Sequence, residues 1–247
     1  PAFGTPAVAD RAPTHEDRIP IPVFSVSGWY DIFVNGALAA WAHRSHSHDT
    51  LLVGPWGHDN FFSHLNGDAD LGFAGSGESV DLGSRILDFF DDVLNGREPV
   101  RPRVALYELG TKRWATSDSW PIIGRATATL SIPEATFTVN LDDLPCLAGL
   151  RGLRVGCIRD GWGPRDVTRL LDRPDVAVID LPLLEDDLTV SGTITARIAC
   201  GSAATPGEQW VALLCERVSS GVVMAIADGV AMRSLDDQKL DIPLAAL

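Results

Sequence analysis

The chain has 247 residues, 45% of them hydrophobic and 21% charged, the balance of a globular protein with one large domain or two ordinary ones. Its formal net charge of -13 argues against a nucleic-acid partner or an anionic membrane surface, because a phosphate-rich partner selects an excess of Lys and Arg. No apolar run approaches the roughly 18 residues of a membrane-spanning helix, so a soluble protein is expected, with the cytoplasm favoured over export.

Residues 1–20 are rich in Pro, Ala and charge without a period, which predicts an irregular lead-in or the end of a cap. The first strong signal fills 22–61. Two short apolar runs, Val23-Phe24-Ser25-Val26 and Leu51-Leu52-Val53, read as buried parallel strands because each is brief, β-branched or aromatic, and closed by Gly. Between them 35–42 (NGALAAWA) has the length and Ala/Leu content of a crossover helix. A right-handed β-α-β unit brings the C-terminal ends of both strands to one sheet edge.

Each strand ends in a turn that carries chemistry. Ser27-Gly28-Trp29-Tyr30-Asp31 delivers a carboxylate, and Gly54-Pro55-Trp56-Gly57-His58 delivers an imidazole. A serine hydroxyl is a poor nucleophile until an imidazole takes its proton. The imidazole in turn needs a carboxylate to fix its tautomer and steady the imidazolium. Asp31 before His58 fits the second and third places of the Ser, Asp, His order of α/β-hydrolases. Trp29, Tyr30 and Trp56 flank these turns as turn packing or pocket walls. Phe33, two residues past Asp31, is placed to reach the acyl or aromatic part of a substrate.

His43, His46 and His48 with Asp49 (AHRSHSHD) invite a zinc reading, but the order of ligands in metallo-hydrolases is absent. The segment falls at a helix end, where a cationic His is favoured by the dipole. No metal and no cofactor are expected. Residues 63–77 are Gly- and Asp-rich and read as a surface connection. In 84–94 (SRILDFFDDVL), apolar residues at helical spacing with Asn95-Gly96 after them predict a helix packed on the sheet. Residues 104–109 (VALYEL) read as a further strand.

From Ala126 onward, alternating runs separated by turn residues predict an antiparallel β domain. The runs are TATLSI, FTVNL, VAVIDLPL, LTVSGTITARIAC, QWVALLCERV, VVMAIADGVAMRS and the final 240–244. Leu188, Val190, Ile194, Ala196 and Ile198 are expected to share one face of a single strand. Asp228-Gly229 reads as a turn or bulge. The cysteines Cys146, Cys157, Cys200 and Cys215 form no metal pattern and read as buried free thiols, with a Cys200–Cys215 disulfide as the alternative.

The segments SGWYD (27–31) and GPWGH (54–58) resemble the acid and base loops of the cocaine esterase/glutaryl-acylase group of serine hydrolases, relatives of the X-prolyl dipeptidyl peptidases. The likeness continues through Phe89-Phe90-Asp91, Trp114-Ala115 and Trp120-Pro121, and returns in 190–197 and 227–230. It implies a mixed fold, α/β plus all-β: a partial α/β-hydrolase sheet over 21–123, then a jelly-roll (galactose-binding-like) β-sandwich over 124–247, with closing strands absent. It also implies Asp31 and His58 as catalytic acid and base acting on a small-molecule ester or amide. No Ser has Gly two places before and two after it, and Ser76 in AGSGE lacks the preceding strand of a nucleophile elbow. The expectation is therefore the C-terminal part of a hydrolase whose nucleophile comes from a missing N-terminal half or a companion chain. Bare sheet edges also predict pairing or oligomerisation. The rival readings are a non-catalytic binding or scaffolding module, an X-Pro dipeptidyl peptidase, and a metal-dependent hydrolase built on the His cluster.

Overall fold

The computed structural model describes residues 20–98, 101–121, 163–181, 183–184, 186–200, 208–235 and 237–244. The expected boundary near Ile123, the runs TATLSI and FTVNL, Cys146, Cys157 and nearly all of the lead-in lie outside the described residues.

A four-stranded sheet ordered β1-β2-β5-β6 holds the first part, with β3 (Leu65–Asn66) and β4 (Ala69–Asp70) forming a separate two-stranded pair. β1 (Phe24–Gly28), β2 (Thr50–Gly54) and β5 (Val104–Glu108) run parallel, and β6 (Arg113–Ser117) is antiparallel to β5. Leu51, Leu52, Val53 and Val104 are fully buried, which is why β2 is continuously apolar rather than alternating. Helix α1 (Val34–Trp41) crosses between β1 and β2 and buries Val34, Leu38 and Trp41 on one stripe, the spacing of a single helix face. The parallel β-α-β unit read in the sequence is present. No strand was expected where β6 lies.

Helix α2 (Leu82–Leu94) starts two residues before the expected 84. Asp81, at φ 50, accepts from the Ser84 backbone N–H, and the helix stops where Asn95 and a positive-φ Gly96 follow. The expectation that its apolar stripe packs on the sheet is only partly met. Phe89 meets Phe24 edge-on at 5.5 Å and Ile86 joins the core, but Leu87, Phe90 and Leu94 stay exposed. Periodicity identifies an apolar stripe without identifying what lies against it.

Most of the regular structure described in the C-terminal part is strand. β7 (Arg165–Asp166), β10 (Val223–Met232) and β9 (Gln209–Arg217) form one sheet in that order, and β11 (Lys239–Pro243) pairs antiparallel with β8 (Thr195–Ala199). Ala227, Leu240, Ile242 and Leu244 bury a core between these sheets with Ile194, Ala196, Ile198, Trp210, Ala212 and Leu214. On the opposite face of the β8–β11 ladder, Arg197 grips Asp241 with two hydrogen bonds of 2.7 and 2.8 Å.

Three expectations are corrected here. The run from Leu188 is not one strand, because Gly192 at φ 111 breaks it and leaves Leu188 and Val190 exposed while Ile194, Ala196 and Ile198 pack inward. Residues 176–181 of VAVIDLPL form no strand; the segment is held over the surface, with Asp180 paired to Arg217 at 2.9 Å. Asp228-Gly229 is neither turn nor bulge. Both residues sit in register in β10, and the irregularity falls earlier, between Ala225 and Ala227. A Cβ on Gly229 would lie 2.3 Å from the Pro243 carbonyl oxygen, so glycine there lets β11 approach. Cys200, just past β8, and Cys215, in β9, are free thiols, but Cys200 is half-buried and Cys215 exposed, so the expected burial is not met.

One core runs through both parts. Trp29, Tyr30, Leu51, Val53 and Leu106 pack in the same cluster as Val167, Leu170, Val223 and Ala225. Asp68 reinforces the join, its backbone N–H donating to the Pro164 carbonyl and its carboxylate accepting from the Asp166 N–H. Among the described residues no helix is long and apolar enough to cross a membrane.

Candidate active site

β1 and β2 stop side by side, with Gly28 opposite Gly54, and the two chemical turns begin at that edge. They are hydrogen-bonded to each other, Trp29 N–H to the Gly54 carbonyl and Tyr30 N–H to the Trp56 carbonyl, both at 2.9 Å. Such proximity leaves no room for side chains at the strand ends. A Cβ on Gly28 would fall 2.1 Å from the Trp56 carbonyl oxygen, and one on Gly54 would fall 2.4 Å from the Trp56 ring.

The aromatic residues of the turns are packed behind them. Trp56 is fully buried, donates its indole N–H to the Gly75 carbonyl at 2.6 Å and lies against Phe61 and Trp114. Trp29 donates to the Tyr107 carbonyl at 2.7 Å and leans on Trp120. Tyr30 is buried beside them. Two asparagines hold the base loop: Asn60 accepts from the Gly57 N–H at 2.6 Å, and Asn66 donates to the Pro55 carbonyl at 2.8 Å. Neither Asn was singled out in the sequence. The side-chain-to-backbone turn habit of Asn, three residues after Gly57, was the available signal.

This frame brings Asp31 and His58 together. Asp31 Oδ1 lies 3.3 Å from His58 Nδ1 and accepts from the Phe33 N–H at 2.9 Å. The carboxylate is buried, whereas the His58 side chain is 49% exposed. One end of the imidazole thus faces a fixed anion while much of the ring remains open to a reactant, the asymmetry a general base requires. The 3.3 Å separation is at the long end of the hydrogen-bond range, as catalytic hydrogen bonds often are before substrate binds. Phe33 stands on the open side, 59% exposed, with its ring edge-on to His58 at 5.2 Å.

Ser76 is buried and its hydroxyl accepts from the Ser79 N–H at 3.1 Å, a turn-stabilising role. In the histidine-rich segment, His46 Nδ1 accepts from the His48 N–H, and His48 Nε2 donates to the Arg97 carbonyl at 2.6 Å. Asp49 turns away from any ligand set to bind Arg44 at 2.6 Å. Among the described residues no group of three or more His, Cys, Asp or Glu is placed to hold a metal ion.

Burial pushes the Tyr30 hydroxyl well above its ordinary range, and burial with the nearby Asp70 charge raises Tyr107. These are the only two tyrosines in the chain. A folded-state pKa above the unfolded value, near 10, gives stability that is complete below that pH and is lost as pH rises through the folded value. Alkaline titration is therefore expected to show no tyrosinate absorbance until the chain unfolds, and then both groups together. A gradual rise beginning near pH 10 while circular dichroism stays native would refute this.

The comparisons with known proteins bear on the same residues. The family model described as X-Pro dipeptidyl-peptidase (S15 family) matches residues 5–60, which include both chemical turns. Cocaine esterase of Rhodococcus sp. (strain MB1 Bresler) is 27% identical over 237 residues, covering 85% of this chain and 40% of that protein. The chain is similar to the cocaine esterase and X-Pro dipeptidyl-peptidase-like hydrolases. Solved structures of the same general fold include an aminopeptidase from a marine sediment Thaumarchaeota archaeon, with TM-score 0.67, 17% identity and coverage of 98% of this chain and 47% of that one. An α-amino acid ester hydrolase labelled with selenomethionine gives TM-score 0.60 at 18% identity, covering 94% and 46%. The chain thus spans less than half the length of these relatives.

Proposed function

We propose that the chain supplies the acid and base of a Ser-Asp-His hydrolase acting on carboxylic esters or acyl amides. The observation that carries this reading is the Asp31–His58 contact at the C-terminal ends of two adjacent parallel strands. Asp31 holds the Nδ1–H tautomer, leaving Nε2 to accept the proton of a serine hydroxyl contributed by residues outside these 247. As that proton moves, the serine oxygen bonds to the carbonyl carbon. Collapse of the tetrahedral intermediate breaks the bond to the alcohol or amine, which takes the proton from His58. Water then repeats the sequence on the acyl-enzyme. The oxyanion donors come from the serine-bearing part.

Phe33 forms a wall of the pocket on the open side, and Trp29, Tyr30 and Trp56 form its packed floor. The division into a hydrolase part over 21–123 and a jelly-roll β-sandwich over 124–247 belongs to the same proposal, as do a soluble cytoplasmic setting, a companion segment or chain bearing the nucleophile, and no cofactor. X-Pro dipeptidyl peptidase activity is the second reading, supported by the family-model match across both loops.

The test is fluorophosphonate labelling, followed by intact mass, of this chain assembled with the polypeptide that carries G-x-S-x-G. Labelling of that serine is expected, with His58→Ala abolishing it. Equal labelling with and without a functional His58, or hydrolysis that survives fluorophosphonate and stops with a chelator, would overturn the proposal.

A further inference from the structure

We infer that Phe33 is a positioning residue for His58, fixing the orientation of the imidazole against Asp31; this rests on the acid–base reading above. Torsion about the bond to an imidazole is broad and roughly two-fold. A half-turn of the ring exchanges Nδ1 for a carbon and removes the hydrogen bond to the carboxylate. The Asp31 contact is long, at 3.3 Å, and 49% of the His58 side chain is exposed, so other contacts on the ring bear on its orientation.

Phe33 restrains that orientation through two groups of one residue. Its backbone N–H donates to Asp31 Oδ1, the same oxygen that faces His58 Nδ1. Its ring meets the imidazole at 5.2 Å and an interplanar angle of 67°, the edge-to-face arrangement that aromatic pairs favour. Phe33 is also the residue at which helix α1 begins, and the Ala37 N–H donates to its carbonyl at 2.9 Å. The helix start therefore sets the carboxylate, the aromatic ring and, through them, the imidazole. A phenylalanine left 59% exposed contributes little to the core.

The experiment is a long-range nitrogen–proton correlation spectrum of the histidine rings in the isotopically labelled chain, in alkaline buffer where imidazoles are neutral. A His58→Gln spectrum assigns the signal. The wild type is expected to show Nδ1–H as the main tautomer of His58. Phe33→Ala and Phe33→Leu are each expected to cut the ratio of that form to the Nε2–H form by roughly two- to tenfold, the range implied by the loss of one aromatic pair. Phe33→Tyr should restore the wild-type ratio, and far-UV circular dichroism should be unchanged in all three. A wild-type ratio in both Phe33→Ala and Phe33→Leu overturns the inference. Asp31→Ala is recorded in parallel: if it leaves the tautomer unchanged, the acid–base reading fails, and the Phe33 inference is then judged on nuclear Overhauser contacts between the His58 ring and the Asp31 β-protons, whose persistence in Phe33→Ala and Phe33→Leu overturns it.

Discussion

In the assembled hydrolase, Asp31→Asn is expected to lower kcat by roughly 10⁴ with little change in KM, the scale seen when the orienting carboxylate of a triad is replaced by its amide. The substitution is nearly isosteric. Because Asp31 Oδ1 faces both the Phe33 N–H and His58 Nδ1, the amide can place only one group there, its oxygen or its NH2. What changes is the group presented to His58 Nδ1. With the NH2 in that place, a donor 3.3 Å away selects the tautomer with the proton on Nε2, which can no longer accept one from serine, and the Phe33 N–H loses its acceptor; in either amide orientation an imidazolium forming there loses its counter-charge. Asp31→Ala should be no more active and should additionally lose the turn hydrogen bond, costing about 1 kcal/mol of stability as for other capping side chains. Steady-state kinetics with thermal melts of both variants checks this. A loss under tenfold for Asp31→Asn would show that His58 does not act through Asp31.

The chemical edge was legible in the sequence because its causes are local. A run such as Leu51-Leu52-Val53 has few options other than a strand buried on both faces, and the glycines at 28 and 54 mark where two backbones come too close for side chains. The strands β9 and β10 were legible as well, since each alternates between a packed face and an open one. β6 was not. Arg113–Ser117 is a polar edge strand whose existence depends on its pairing with β5, and pairing is a long-range event that leaves little trace in five residues. The Leu188–Ala199 alternation misled for a related reason, because the pattern continues across Gly192 whereas the backbone does not. Phe33 was seen only as a candidate pocket residue. Its N–H on Asp31 and its ring on His58 depend on where α1 begins, and that is settled by tertiary contacts.

Asp49 was the largest misreading of environment: in the sequence it is the acid beside a histidine cluster, and in the structure it is a fully buried hub. Oδ1 accepts from the Val23 N–H at 3.0 Å and from Arg44 at 2.6 Å, and Oδ2 accepts from the His46 N–H at 2.8 Å with Arg103 3.8 Å away. Val23 immediately precedes β1 and Asp49 immediately precedes β2, so this one carboxylate ties together the starts of the two strands whose far ends carry Asp31 and His58. Asp49→Ala is expected to destabilise the fold by roughly 3–5 kcal/mol, because it strands Arg44, whose side chain is only 4% exposed, without its counter-ion. Asp49→Asn should cost less, since an amide oxygen still accepts one of the hydrogen bonds. The decisive comparison is Arg44→Met with Asp49→Leu. If the penalty comes from an unpaired buried charge rather than from the worth of the pair, removing both ions should restore much of the stability lost in Asp49→Ala. Urea denaturation of the four proteins reads this directly. A loss below about 1 kcal/mol for Asp49→Ala, the scale of an exposed ion pair, would mean that the strand starts are held by their backbone ladder and not by the buried carboxylate.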